Sequence, residues 1–182
     1  MKILIASDIH GCAPAARALA ARIEAEAPDR VALLGDLLYH GPRNALPAGY
    51  DPQEVFTILN GLADRIVAVR GNCDSEVDQM VLSFPCLADY ALIEADGHLL
   101  YLTHGHLPGK SPAEPPALAP GSALVTGHTH VKTLDARDGL LFVNPGSTSI
   151  PKDGSASYAA YERGCFALKT LDGETLREGG WE

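Results

Sequence analysis

The residues able to do chemistry fall in five short clusters. Asp8 and His10 flank Ile9, Asp36 follows Gly35, and Asn72, Cys73 and Asp74 follow Gly71. His104 and His106 flank Gly105, and His128 and His130 flank Thr129 just after Gly127. Imidazole nitrogens, carboxylates and an amide oxygen form a mixed donor set suited to manganese, iron or zinc. The four cysteines, Cys12, Cys73, Cys86 and Cys165, include no C-x-x-C pair, which argues against a structural zinc or an iron–sulfur cluster. Seven candidate ligands, Asp8, His10, Asp36, Asn72, His104, His128 and His130, exceed what one such ion takes and suit two ions sharing a bridging carboxylate. Two cations about 3.5–4 Å apart can clamp the attacking and leaving oxygens of a phosphoryl displacement and generate hydroxide at neutral pH.

What must position these clusters is a set of strands. Lys2–Ser7, Arg30–Leu34 and Arg65–Val69 are short apolar runs bounded by polar residues, and each leads into a cluster. Leu99–Thr103 leads into His104, and Ala123–Thr126 leads into His128. Every candidate ligand therefore sits just past the carboxyl end of an expected strand, where open α/β sheets place their ligand sites. Between the first three strands, Ala16, Leu19, Ala20, Ile23 and Ala27 recur at helical spacing. Asp51-Pro52-Gln53-Glu54 reads as a helix start, with an acidic cap, proline at the first position and Glu at the third. A β-α-β-α-β order implies a parallel sheet with right-handed crossovers. After Pro85 the rhythm changes to strands without long helices, with turn signals at Asp96-Gly97, Asp138-Gly139 and Asp172-Gly173, and an antiparallel arrangement is expected there. Gly105–Gly121 holds five prolines and reads as a loop.

The chain of 182 residues with 46% hydrophobic side chains supports one buried core, so a single domain over residues 1–182 is expected. A net charge of −9 argues against a nucleic-acid or anionic-membrane partner, though not against a phosphate substrate, because bound cations reverse the field locally. No apolar run approaches a membrane span or a signal-peptide core, which gives a cytoplasmic expectation, and the unpaired cysteines read as reduced thiols. There is no G-x-x-x-x-G-K-[ST] loop and no G-x-S-x-G elbow. The apolar stretch around Tyr158–Phe166 suits either sheet extension or a subunit contact, and a homo-oligomer is expected.

The series Asp8-x-His10, Gly35-Asp36, Gly71-Asn72-x-Asp74, His104 and Gly127-His128-x-His130 resembles the calcineurin-like metallophosphoesterases in order and residue type. The runs His40–Pro47, Arg70–Met80 and Asn144–Ser147 resemble the YfcE-type bacterial phosphodiesterases within that superfamily. The resemblance implies an α/β fold, a sandwich of two sheets flanked by helices in four layers. It implies that Asp36 bridges two divalent ions, manganese first and zinc or iron as alternatives. Asp8, His10 and His130 would complete one site, and Asn72, His104 and His128 the other. A metal-held hydroxide would then attack phosphorus in a small phosphodiester. One departure stands out. The family usually has His after the ligand Asn, where it protonates the leaving oxygen, and this chain has Cys73. A thiol has a reference pKa of about 8.5, which nearby cations tend to lower, so Cys73 serves either as a proton donor or as a thiolate. A weaker acid favours substrates with good leaving groups.

Other residues weigh less. Arg43 and His40 either line the cleft and touch phosphate or belong to a solvent-facing loop. Asp74 either orients residue 73 or anchors the turn. His98 and His106 read as loop or core residues, since a lone His near a strand end usually is one. Two further functions share the ligand set: a phosphomonoesterase, disfavoured by Cys73, and a scaffold with this fold, which would have no reason to keep all seven ligands.

Overall fold

The computed structural model describes residues 1–181. Its strands are β1 (Lys2–Ala6), β2 (Arg30–Leu33), β3 (Ile66–Ala68), β4 (Tyr90–Ala95), β5 (His98–Thr103), β6 (Ala123–Val125), β7 (Thr133–Arg137), β8 (Leu140–Asn144), β9 (Ser157–Glu162), β10 (Cys165–Thr170) and β11 (Thr175–Gly179). Three α-helices accompany them: α1 (Ala13–Glu26), α2 (Pro52–Asn60) and α3 (Glu76–Val81). Helix α2 begins as its sequence dictates, with the Asp51 carboxylate accepting the Glu54 N–H at 2.9 Å and Pro52 in the first turn. Helix α1 ends where Ala27 turns left-handed. No helix of the described residues is long and apolar enough to cross a membrane.

One sheet has the order β11-β10-β9-β1-β2-β3 and the other β4-β5-β6-β8-β7. β1, β2 and β3 pair in parallel, with Ile5 opposite Ala32 and Ala32 opposite Val67. The strands after Pro85 differ from the antiparallel expectation. β5–β6 and β6–β8 are parallel, and only β4–β5, β7–β8 and the β1–β9–β10–β11 ladder are antiparallel. The reason lies in the connections. Gly105–Gly121 is long enough to carry the chain back without a helix, and β7 passes to the sheet edge so that β8 returns between it and β6. Asp96-Gly97 and Asp138-Gly139 are left-handed at both residues, the turn geometry that matches strand twist in two-residue hairpins. Arg163-Gly164 makes the same turn between β9 and β10, although Arg gives no turn signal in the sequence.

Alternation along the central strands divides the packing. Leu4, Ala6, Val31 and Leu33 face Leu19, Ile23, Val55 and Leu59 of the helices. Ile3, Ile5, Ala32 and Leu34 face Leu100, Leu102, Val125 and Val143 of the second sheet. Both faces of β1 and β2 are thus buried, as continuous apolar runs require. The outer face of the second sheet carries Tyr101, Leu124 and Phe142, and Leu118 of the proline-containing loop packs on it. The Tyr158–Phe166 stretch extends the first sheet from within: β9 pairs with β1, and Phe166 fills the space between the sheets.

At the end of α1, Glu26 accepts Lys2 Nζ and Lys169 Nζ, each at 2.5 Å, and the Tyr158 hydroxyl at 2.9 Å. Burial alone would raise its pKa, yet these donors bring it down to about 2. A depressed carboxyl contributes stability above its unfolded pKa and loses it as pH falls through its folded one. We expect Glu26→Gln to cost about 1–3 kcal/mol in urea unfolding near neutral pH. The difference from wild type should shrink as pH drops from about 4.5 toward 2. Phe166→Ala should cost about 3–5 kcal/mol at any pH by leaving a hole between the sheets.

Candidate metal centre

The carboxyl ends of β1, β2, β3, β5 and β6 point to one side of the molecule, and every candidate ligand lies in the loops that follow them. Five of these residues are left-handed in the backbone: Asp8 (φ 57°), His10 (50°), Asp36 (55°), His128 (67°) and His130 (60°). Such conformations cost about 1–3 kcal/mol each for residues with side chains and persist only where surroundings fix them. The surroundings do so here. His10 N–H donates to Asp36 O at 2.9 Å, Asp8 N–H to Gly35 O at 3.1 Å and His128 N–H to Asp8 Oδ2 at 3.0 Å. The hydroxyls of Ser147 and Ser149 donate to Asp8 O at 2.8 and 2.9 Å, and Thr148 Oγ1 donates to Ser7 O at 2.9 Å. Asn144 Nδ2 donates to Gly127 O at 2.7 Å, holding the loop of His128 and His130.

The buried atoms that meet here are nearly all acceptors. His10, His104 and His130 each turn Nδ1 to a backbone carbonyl, of Tyr39 at 2.8 Å, Leu34 at 2.7 Å and Ile150 at 2.9 Å. A carbonyl only accepts, so Nδ1 carries the hydrogen and Nε2 of each neutral ring is bare. The bare Nε2 atoms of His10 and His130 face each other at 3.2 Å, and Asp8 Oδ1 lies 3.6 and 3.2 Å from them without a hydrogen-bond partner. His104 Nε2 faces Asn72 Oδ1 at 3.1 Å and His128 Nδ1 at 3.2 Å. Asp36 Oδ2 sits between the sets, 3.7 Å from His10 Nε2 and 3.5 Å from His104 Nε2. Lone pairs converging on one another, an orphaned buried carboxylate oxygen among them, fit cations between them.

Burial would raise the Asp8 carboxyl, but His10 and His130 hold it well below the usual carboxylate range; burial likewise opposes charge on Asp36, and His104 lowers it. Burial opposes charge on His10 and His104, yet Asp8 and Asp36 raise both, His104 to about 9. His128 is pushed down by burial and by His104.

Asp74 anchors rather than touches residue 73. Its carboxylate accepts the N–H groups of Asp36 (2.8 Å), Leu37 (2.9 Å) and Gly71 (2.7 Å), and burial still raises it to about 6. Gly71 has no room for a side chain, since a Cβ would lie 2.1 Å from Asp36 Oδ1. Cys73 donates its N–H to Asp36 Oδ1 at 2.8 Å, and its Sγ shares the neighbourhood of His10 and Asp36. Burial and those carboxylates push the thiol up to about 12. All four cysteines are free. Arg43, Asn44, Thr129 and Lys152 line, with Asp36, Asn72, His128 and His130, a hollow of about 510 Å³. His40 is outside that lining, its ring edge-on to Tyr39 and Tyr50. His98 packs, stacked 3.6 Å from Trp181 with Nδ1 on Gly121 O. His106 is placed differently from a core residue: its ring lies 5.2 Å from His104 and 6.1 Å from His128, and burial with those neighbours lowers it to about 4. Nothing in the sequence around Lys152 marks it as lining the hollow, whereas Thr129 and Asn44 adjoin residues already singled out, His128 with His130 and Arg43. A larger hollow of about 630 Å³ beside Trp181 contains none of the clustered residues.

Comparison with known proteins adds the following. Residues 1–163 match the model of the calcineurin-like phosphoesterase superfamily domain. Phosphodiesterase YfcE of Escherichia coli is 44% identical over 177 residues, covering 97% of this chain and 95% of that protein. The solved structure of YfcE, described as a phosphoesterase, superposes with a TM-score of 0.95 over 100% of both chains. The probable metallophosphoesterase YsnB of Bacillus subtilis is 28% identical, covering 84% of this chain and 78% of that one. Vps29 of Entamoeba histolytica, solved with zinc, shares the fold at a TM-score of 0.64 and 20% identity, with 100% of both chains covered.

Two outcomes are expected from this geometry. Titration with Mn²⁺ near pH 7 should release protons, visible as a dependence of calorimetric heat on the buffer's ionisation enthalpy, and apparent affinity should fall as pH falls. Gly71→Ala should displace Asp36 and erase most of the rise in melting temperature that Mn²⁺ gives the wild type.

Proposed function

The chain belongs to the calcineurin-like phosphoesterase superfamily, and on that footing we propose that it hydrolyses a small phosphodiester using two divalent cations held by the strand-end ligands. It is a metal-dependent phosphoesterase. The observation that carries the finer reading is the pair of bare-acceptor sets with Asp36 Oδ2 between them, 3.7 Å from His10 and 3.5 Å from His104. Asp8, His10, His130 and Asp36 would hold one ion, and Asn72, His104, His128 and Asp36 the other. Manganese is the first choice, since nitrogen and carboxylate donors without thiolate clusters accept it, with zinc or iron as alternatives. When bound, the cations supply Lewis acidity and a hydroxide nucleophile at neutral pH.

The protein's own groups do the rest. Arg43 and Lys152 bring positive charge to the phosphate oxygens, Arg43 with a planar fork suited to two of them. Cys73, whose Sγ lies beside His10 and Asp36, would be the group to protonate the departing oxygen, and a thiol in that role suits diesters whose alcohols leave readily. Burial is the first cause of the raised Cys73 pKa and the Asp36 carboxylate the next, so positive charge held at Asp36 would offset only the second. Asp74 keeps Asp36 in place through three backbone N–H groups. The reduced cysteines suit a cytoplasmic setting, and the net charge of −9 disfavours a nucleic-acid partner.

The test is hydrolysis by protein stripped with chelator and reloaded with Mn²⁺. Bis-p-nitrophenyl phosphate should turn over faster than p-nitrophenyl phosphate; the reverse preference would make the enzyme a monoesterase, and no turnover would leave a scaffold. Asp36→Ala should lower bound metal per chain and reduce diester kcat/KM by about 10³-fold or more, a loss of about 4 kcal/mol of transition-state stabilisation. Cys73→His should raise the rate toward diesters of poorly leaving alcohols by about 10²-fold while changing p-nitrophenyl esters little.

A further inference from the structure

A second hollow, of about 430 Å³, counts Cys73 among its lining residues and none of the seven candidate metal ligands. Its walls are largely apolar, formed by Tyr39, Tyr50, Phe56, Val77 and Val81, with Cys73 among the lining residues. Tyr39, Val77 and Val81 remain 42, 68 and 38% exposed, an unusual concentration of apolar side chains left open. Asp78, also in the lining, keeps its negative charge while accepting the Ser75 N–H and hydroxyl at 2.7 and 3.2 Å, a single charge in an otherwise largely apolar wall.

The hollow is tied to the reaction centre on two sides. Tyr39 O accepts His10 Nδ1 at 2.8 Å, and the Tyr50 ring packs so closely over Gly11 that a Cβ there would lie 2.4 Å from it. Cys73 Sγ belongs at once to this hollow and to the group formed with His10 and Asp36. A substrate phosphate over the metal ligands would therefore direct one ester arm past Cys73 into an aromatic-lined space. Its other arm would face Arg43 and Lys152.

We infer that the hollow bounded by Tyr39, Tyr50, Phe56, Val77 and Val81 seats the departing alcohol of the substrate, and that this alcohol is an aryl or similarly flat apolar group. The inference rests on the phosphodiesterase reading and names its substrate class. In the step, the oxygen of a water molecule bonds to phosphorus as the bond from phosphorus to the aryl oxygen breaks. The aryl oxygen keeps the electron pair and receives one of the water's protons, so a phenol and a phosphomonoester leave. A phenol departs without a strong acid, which agrees with a thiol at position 73, and its ring gains from apolar burial that an alkyl arm of one or two carbons cannot match.

The experiment measures competitive inhibition of Mn²⁺-loaded enzyme by phenylphosphonate and methylphosphonate, with bis-p-nitrophenyl phosphate as substrate. Native enzyme should bind the phenyl compound about tenfold or more tightly. Val77→Asp, at a position too exposed to disturb folding, should collapse that ratio toward one, and Val77→Met should restore it. An equal affinity of native enzyme for both compounds, or a ratio untouched by Val77→Asp, would overturn the inference while leaving turnover to support the hydrolase. If Val77→Asp instead splits an oligomer in sedimentation with the ratio unchanged, the face belongs to a second copy of the chain and the inference fails. Absence of turnover in native enzyme would overturn the hydrolase reading and this one together.

Discussion

Lone pairs facing lone pairs are the condition on which the rest of this structure depends. Three imidazoles have their Nδ1 hydrogens committed to the carbonyls of Tyr39, Leu34 and Ile150, so their bare nitrogens have only one another and two buried carboxylates to meet. Left alone, such a set repels itself. The scaffold holds it by fixing backbone rather than side chains: five left-handed residues, three hydroxyls of the Ser147–Ser149 turn and the Asp74 carboxylate all act on main-chain groups. Cations or protons then resolve the repulsion, which gives the site its coupling between metal, pH and stability.

Much of this was legible in the residues. A charged or imidazole side chain immediately after an apolar run is informative because strand ends in a parallel sheet share one side, and five such ends occur here. The helix start at Asp51-Pro52 and the Asp-Gly hairpins were equally readable, since each reports a local hydrogen bond or a backbone angle. What was not legible depends on distant partners. The parallel pairing of β5, β6 and β8 follows from where a proline-containing loop returns, and the Arg163-Gly164 turn from the strands that force it. Lys152 reaches the hollow only through the fold, and His106 reads as an ordinary loop residue until its neighbours His104 and His128 are in place.

The two halves of the molecule divide the labour unevenly. β1, β2 and β3, buried on both faces, carry the first three clusters on a sheet that helices and a second sheet clamp from either side. The second sheet brings His104, His128 and His130 to the same rim from β5 and β6. The site therefore spans the seam between two packed layers, and any slip of one sheet over the other would split both groups of acceptors, since each takes members from both sheets.

β9 pairs along β1, with Ile5 opposite Ala159, and the Ser147–Ser149 hydroxyls close over Ser7 and Asp8 from more than 130 residues away in the chain. The first strand of this sheet in chain order is thus completed by the ninth strand of the fold. Asp8 and His10 emerge early, but the contacts that lock them exist only once residue 162 has been made. Until then a growing chain presents an unpaired β1 edge, and Asp8 lacks the hydroxyl contacts that fix its backbone.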